Sequence, residues 1–391
     1  MDLTEDPDHE ALAAGVRAVA GAFDDDYWAA CDREHRFPWD FYRAMAAGGW
    51  VGLTIPERYG GGGCGITEAA LLMREVAASG AAMNGASALH LTVFGLEPVV
   101  RFGDDQLKDA FLPRAASGDL HVAFGVTEPD AGTDTSRIAT RAVPDGDGWR
   151  ISGQKIWTSK ADEAEVCLLL ARTGEPGESE AGGGRLGGLS LFLVDLDPAH
   201  VTISPIAKTA RNAVSSCEVF YDELPVEGWR LVGEEGRGFQ HLLAGLNPER
   251  VLIAAEAIGT GLAALRRAVA YAAEREVFGR PIGANQALSH PLADAHARLR
   301  AAWLMTREAA WRYDRGLPCG EEANTAKYLA ADAGFDACDR AVQVHGGLGF
   351  AEEYHVGRYW REARIMRVAP VSQEMTLNYL AQKVLGLPRS Y

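Results

Sequence analysis

The sequence predicts a mainly α-helical protein with a β domain in its middle. Three observations carry this. Apolar residues recur at helical spacing up to about residue 116 and again beyond residue 236, and the stretch between breaks into short β-branched and apolar runs separated by turns. No strand-GxGxxG-helix unit accompanies these segments, so a Rossmann nucleotide site is not supported. At 391 residues and 47% hydrophobic content the chain can bury a core large enough for two or three domains. We place them at 1–119, 120–232 and 233–391.

In the first region the pattern is helical from Glu10 to about Ala116. Phe41, Met45 and Ala46 precede a break at Gly48 and Gly49, Ala69, Leu72, Met73 and Val76 recur at helical spacing, and GGGGCG at 60–65 reads as a loop. The middle region offers the runs HVAFGVT, WRISGQKIWT, EVCLLLART, LSLFLVDL, VTISPI and CEVFYDEL, whose spacing predicts a small barrel or sandwich. The Gly- and Glu-rich stretch 174–188 joins two of these runs and reads as an exposed, mobile loop. Beyond Gly236 a helix from Phe239 to Glu276 carries Val251, Ala254, Ala255, Ile258, Leu262, Leu265 and Val269 on one face, and further helices follow around 285–315 and 321–345.

Composition excludes several function classes. A formal charge of -16 and a pI near 5.1 argue against a nucleic-acid partner, which needs clustered Lys and Arg. The acidic start MDLTEDPDHEALAAG has no basic segment followed by an apolar one, so the expected address is the cytoplasm. Apolar segments such as VCLLLAR are too short to span a membrane. The six cysteines are scattered without a CxxC pair or a His at ligand spacing, which predicts reduced thiols and no metal.

Four stretches carry a resemblance: FGVTEPDAGTDTS at 124–136, GWRISGQKIWTS at 148–159, EREVFGRPIGANQ at 274–286 and QVHGGLGF at 343–350. In this order and register the chain resembles an acyl-CoA dehydrogenase over nearly its whole length. The resemblance implies an α-helical N-terminal domain, a middle β domain, a C-terminal four-helix bundle, bound FAD and a homotetramer built as a dimer of dimers. Phe124, Val126 and Thr127 match positions that line the flavin ring, and Thr133 matches a hydroxyl that contacts flavin or the CoA part of the substrate. Taken alone, this motif also reads as a strand followed by a turn. Trp157 and Ser159 match positions flanking the flavin, although a Trp here could equally fill the β-domain core. Arg275, Phe278 and Gln286 match residues that grip the adenosine and pyrophosphate end of FAD. Gln343, Gly346 and Gly347 match residues that reach the same cofactor from a neighbouring subunit, and GGLGF by itself would read as a helix cap.

The implied chemistry removes a proton from the carbon beside the thioester and passes a hydride from the next carbon to flavin, so a carboxylate is required. Many relatives carry it in a C-terminal loop, where this chain has Pro370 within EARIMRVAPVSQEM. A second arrangement, resembling the isovaleryl-CoA and long-chain enzymes, puts a glutamate just before an arginine on a bundle helix. GLNPERV supplies Glu249 there, with Asn247 and Arg250 at positions that contact substrate. Asn247-Pro248-Glu249 can also be read as a helix start with a first-turn acid. Apolar spacing at Phe239, Leu242, Leu243 and Leu246 instead implies one long helix bent at the proline. Pro370 also lacks the N–H that polarises the thioester oxygen in loop-type relatives, leaving either the Val371 N–H or a ribityl hydroxyl of the flavin for that task. Ser372 and Glu374 align with loop residues that contact FAD.

The leading expectation is α,β-dehydrogenation of an acyl-CoA or acyl-carrier thioester, with an electron-transfer flavoprotein as onward acceptor. Ala369, small where relatives are often bulkier, favours a branched or bulky acyl chain. The alternative is a flavin-dependent oxidase or monooxygenase on the same fold.

Overall fold

A computed structural model describes residues 6–175 and 186–389, so the Gly- and Glu-rich stretch lies mostly outside the described residues. The N-terminal region forms seven α-helices: α1 (Pro7–Ala20), α2 (Asp25–Glu34), α3 (Trp39–Ala47), α4 (Ile66–Val76), α5 (Ala82–Phe94), α6 (Glu97–Phe102) and α7 (Asp105–Ser117). Local chemistry sets several of their starts. The side chains of Asp6, Asp24 and Asp104 accept hydrogen bonds from the backbone N–H groups of Asp8, Tyr27 and Leu107 and cap α1, α2 and α7. The glycine run at 60–65 is a loop, as its composition predicts.

The middle region is one seven-stranded sheet: β1 (Val122–Gly125), β2 (Arg141–Asp145), β3 (Gly148–Ser159), β4 (Val166–Arg172), β5 (Leu189–Asp195), β6 (Val201–Pro205) and β7 (Ser216–Val226). The pairing order is β1-β4-β2-β3-β7-β6, with β5 also on β4. Strand β4 shows why the run VCLLLAR lacks polar alternation. Leu168 and Leu170 pack into a core shared with α7, while Cys167, Leu169 and Ala171 pack into a second core with Val219 and Tyr221 of β7. Both faces of the strand are covered, so both alternate sets are apolar.

The C-terminal region opens with α8 (Gly238–Glu274), followed by a short hairpin of β8 (Glu276–Val277) and β9 (Arg280–Pro281). Then come α9 (Gln286–Asp314), α10 (Gly320–His345), α11 (Val356–Ala363) and α12 (Gln373–Tyr379). Helices α8 and α10 approach closely because Gly334 has no side chain; a Cβ there would lie 2.5 Å from the Ala257 carbonyl oxygen. The N-terminal helices do not form a separate core: Trp28, Phe41 and Met73 share one apolar cluster with Leu252, Ile258 and Ala330. Pro248 lies inside α8, which begins ten residues earlier, so Glu249 is not a first-turn acid.

No helix of the described residues is long and apolar enough to cross a membrane. The six cysteines are unpaired, and no metal-ligand cluster occurs among the described residues.

Candidate active site

Glu249 projects from α8 with its side chain half-buried. Burial pushes its carboxyl above the usual carboxylate range; the charges of His90 and Arg250 pull it part of the way back, and Glu256 adds to the rise. Glu256 follows Glu249 by seven residues, so both lie on nearly the same face of α8, about 10 Å apart along its axis. Glu256 is fully buried, and its Oε1 pairs with Nδ1 of His90 on α5 at 2.6 Å. Burial alone would lower the His90 pKa, but this carboxylate more than reverses the effect and leaves it raised.

One turn before His90, Ser87 accepts a hydrogen bond of 3.3 Å from Arg211, in the loop between β6 and β7. The same guanidinium donates to Ser159 at the end of β3 and to Ser216 at the start of β7. Arg211 therefore ties α5 to the sheet, and through His90 and Glu256 this polar seam reaches α8. Deeper in the interface with the sheet, Lys160 is completely buried, with one hydrogen bond to Thr92 on α5. Burial brings its pKa down to about 7.

The residues matched to the flavin ring adjoin this seam. Thr127 is held beside β3 by a 2.9 Å bond from Ile156 N–H to its carbonyl, and Phe124 and Val126 are partly buried. Trp157 is 54% exposed, so it does not fill the β-domain core. The uncovered indole and the part-buried Phe124, Val126, Thr127 and Ser159 are residue types that suit a flat ring with polar edges. Thr133 is exposed in the loop after β1.

The C-terminal segment reaches the Glu249 end of α8. Asn247 accepts a bond from Arg250 at 3.3 Å and contacts Cys319 at the start of α10. Lys327 of α10 donates to the Val371 carbonyl at 2.6 Å and fixes the loop that contains the exposed Pro370. The Val371 N–H makes no hydrogen bond among the described residues. Ser372 caps α12 by accepting from Met375 N–H, and Glu374 is exposed in the first turn.

Six of the matched residues are elsewhere. Arg275, Phe278 and Gln286 surround the β8–β9 hairpin, and Gln343, Gly346 and Gly347 end α10. These two groups adjoin one another, since Tyr271 of α8 stacks on His345 of α10 at 4.3 Å. All six are exposed, Phe278 completely. Gly346 has φ 59 and ψ -134, a backbone shape essentially reserved for glycine, and a Cβ on it or on Gly347 would meet nothing within 4 Å. Between Glu249 and Glu274, α8 spans about 38 Å, so one chain holds this exposed cluster far from Glu249.

Sequence reasoning missed His90, Glu256 and Arg211. The available signal was a charged or titratable residue alone in an apolar helix: His90 in SALHLTV and Glu256 in LIAAEAIG. Their pairing spans 166 residues and leaves no local trace.

Models of the acyl-CoA dehydrogenase N-terminal, middle and C-terminal domains match residues 6–119, 123–224 and 236–385. The chain is 41% identical over 392 aligned residues to the acyl-CoA dehydrogenase fadE12 of Mycobacterium bovis, covering 99% of this chain and 98% of that one. Among solved structures it superposes on butyryl-CoA dehydrogenase from Megasphaera elsdenii with a TM-score of 0.92 at 27% identity, covering 98% of this chain and 100% of that one. The glutaryl-CoA complex of glutaryl-coenzyme A dehydrogenase matches with a TM-score of 0.90 at 28% identity, covering 100% and 98%.

Proposed function

The chain belongs to the acyl-CoA dehydrogenase family, and from that premise we propose that it uses FAD to desaturate an acyl-CoA thioester, with Glu249 as catalytic base. The observation that carries this reading is the position of Glu249: mid-helix, half-buried, with its pKa raised, on the side of α8 that meets the α5–sheet seam.

Phe124, Val126, Thr127, Trp157 and Ser159 would hold the flavin ring, with Ser372 and Glu374 meeting it from the C-terminal segment. Bound FAD supplies the acceptor for the hydride that leaves the β-carbon. Glu249 takes the α-proton, so its carboxylate is ionised before the step and protonated after it. Trp157, Phe124 and Val126 exclude water from the reacting carbons. Pro370 has no N–H to offer the thioester oxygen, and we assign that donor to Val371, whose N–H makes no hydrogen bond among the described residues and whose carbonyl is pinned by Lys327. Asn247 and Arg250 border the substrate beside the base. Arg275, Phe278, Gln286, Gln343, Gly346 and Gly347 would complete the cofactor site of a second copy, because about 38 Å of helix separates them from Glu249. This favours a homotetramer of paired chains, with an electron-transfer flavoprotein as onward acceptor.

The test is anaerobic flavin bleaching by straight and branched acyl-CoAs, comparing wild type with Glu249→Gln. Bleaching of wild type but not of the variant is the expected result. If no thioester bleaches the flavin while it turns over with oxygen and another reductant, the dehydrogenase reading fails in favour of an oxidase or monooxygenase. If the variant bleaches as fast as wild type, Glu249 is not the base.

A further inference from the structure

Helix α5 is buried along almost its whole length, and most of its residues are small or apolar. His90 interrupts it with a titratable ring that touches Glu256 through Nδ1 and retains a small accessible area, 8%. Its Nε2 makes no hydrogen bond among the described residues. Behind it Glu256 is sealed, and its Oε2 has no hydrogen-bond partner among the described residues. A carboxylate that is wholly buried and half-unpaired is costly, and hydrocarbon packed against the imidazole would leave the Nε2 edge unpaired as well.

Glu256 fixes the orientation of the ring: with Nδ1–H donated to the carboxylate, Nε2 is the edge available to another molecule. That edge belongs to a group two turns of α8 beyond Glu249, and the charge on His90 is felt at Glu249. An acyl chain that runs from Glu249 along the face of α8 shared by the two glutamates reaches this edge about 10 Å on.

We propose that His90, held by Glu256, reads the distal part of the acyl chain, and that the preferred thioesters carry a neutral oxygen group, a hydroxyl or ketone, several carbons beyond the reacting pair. The inference rests on the dehydrogenase reading above. A hydroxyl pairs with Nε2 whether or not that nitrogen is protonated, a ketone pairs with it once it carries a proton, and neither adds charge. A carboxylate would enter a region that already holds Glu249 and Glu256, while Arg211 is engaged by the hydroxyls of Ser87, Ser159 and Ser216. An unsubstituted chain leaves the ring edge unpaired.

The experiment compares butyryl-, hexanoyl- and octanoyl-CoA with their ω-hydroxy counterparts and with glutaryl- and adipyl-CoA, by anaerobic bleaching of the FAD-loaded wild type. Each kcat/KM is then repeated in His90→Leu and Glu256→Gln. An unpaired buried donor costs about 1 to 3 kcal/mol, so wild type should favour the best hydroxylated chain over its plain counterpart by roughly tenfold or more. His90→Leu should abolish or invert that ratio. Because the ratio is measured within one protein, a general loss of activity does not mimic the result. Should His90→Leu fail to fold, the wild-type ratios and the shape-conserving Glu256→Gln decide. Plain chains best at every length, diacid chains best, or a hydroxyl preference that survives both substitutions would each overturn the inference while the dehydrogenase reading stands. Absence of bleaching by every thioester overturns both.

Discussion

Glu249 must be ionised to accept a proton, so flavin reduction at saturating thioester should rise with pH through an ionisation above the ordinary carboxylate range, where burial places it. His90 lowers that ionisation and Glu256 raises it. The size of each effect follows from geometry. Glu249 and Glu256 are about 10 Å apart along α8 at 1.5 Å per residue, and His90 touches Glu256 at 2.6 Å. A unit charge about 10 Å away at an effective dielectric of about 20 contributes about 1.7 kcal/mol, which is about one pH unit. His90→Gln removes the favourable charge and should move the acid limb of the rate profile upward by up to about one pH unit. Adding Glu256→Gln in that background removes the repulsion and should bring the limb back by a similar amount. Glu249→Gln should flatten the profile and slow reduction by about 10²- to 10⁴-fold, the usual share of a general base. Anaerobic stopped-flow traces across pH measure all four proteins. A wild-type limb in the ordinary carboxylate range, or a His90→Gln limb that stays put or moves to lower pH, refutes the electrostatic account.

Three further outcomes are expected. Trp157→Ala should weaken FAD retention by about tenfold or more, on the scale of a lost aromatic contact, with stability changed by less than about 0.5 kcal/mol because the ring is outside the core; equilibrium dialysis and thermal melts read the two, and unchanged retention removes Trp157 from the cofactor wall. Lys160→Met removes a buried amine bonded to Thr92 and should stabilise the fold by roughly 1 to 3 kcal/mol. Burial lowers the Lys160 pKa from 10.5 to about 7, so between those values the unfolded chain binds more protons and wild-type stability should gain from this group as pH rises. The variant should lose that slope, and a variant less stable than wild type at pH 7 contradicts the reading. Lys327→Met frees the Val371 carbonyl and should lower kcat/KM by about tenfold or more through a misplaced thioester donor; identical kinetics would show that the loop keeps its position without the lysine.

Much of the fold was legible because its period changes are long. The 37 residues of α8 and the apolar runs of β4 and β5 each repeat their signal many times. Strand β2, with the sequence RAVPD and one buried residue, carries almost none and went unread, as did the two-residue strands of the β8–β9 hairpin. The candidate site was readable as a unit where matched residues cluster in sequence, as Phe124 to Thr127 and Trp157 to Ser159 do. Two readings of Glu249 competed until the start of α8 at Gly238 separated them, since a proline inside a helix and a proline at its first turn look alike over five residues. Chain order also conceals distance: nothing in EREVFGRPIGANQ says that its residues stand at the far end of α8 from Glu249.

The polar seam bears on the separate roles proposed for Glu249 and Glu256. Burying Glu256 without filling its second oxygen, and placing His90 in a helix of small and apolar residues, both break rules that an ordinary core obeys. Such departures persist where they serve a function or where neighbouring contacts compensate, and the contacts present here only half compensate. Two glutamates on one face of α8 then differ by environment alone. Glu249 keeps partial exposure and a pKa that burial raises, which suits the proposed role of a base exchanging protons with substrate. Glu256 has no such exposure, and its carboxylate is bonded to His90, so it meets a substrate through that ring and acts on Glu249 only by its charge. If that is correct, Glu256→Gln should change which acyl chains are accepted more than it changes how fast the best one reacts at pH values well above the Glu249 ionisation.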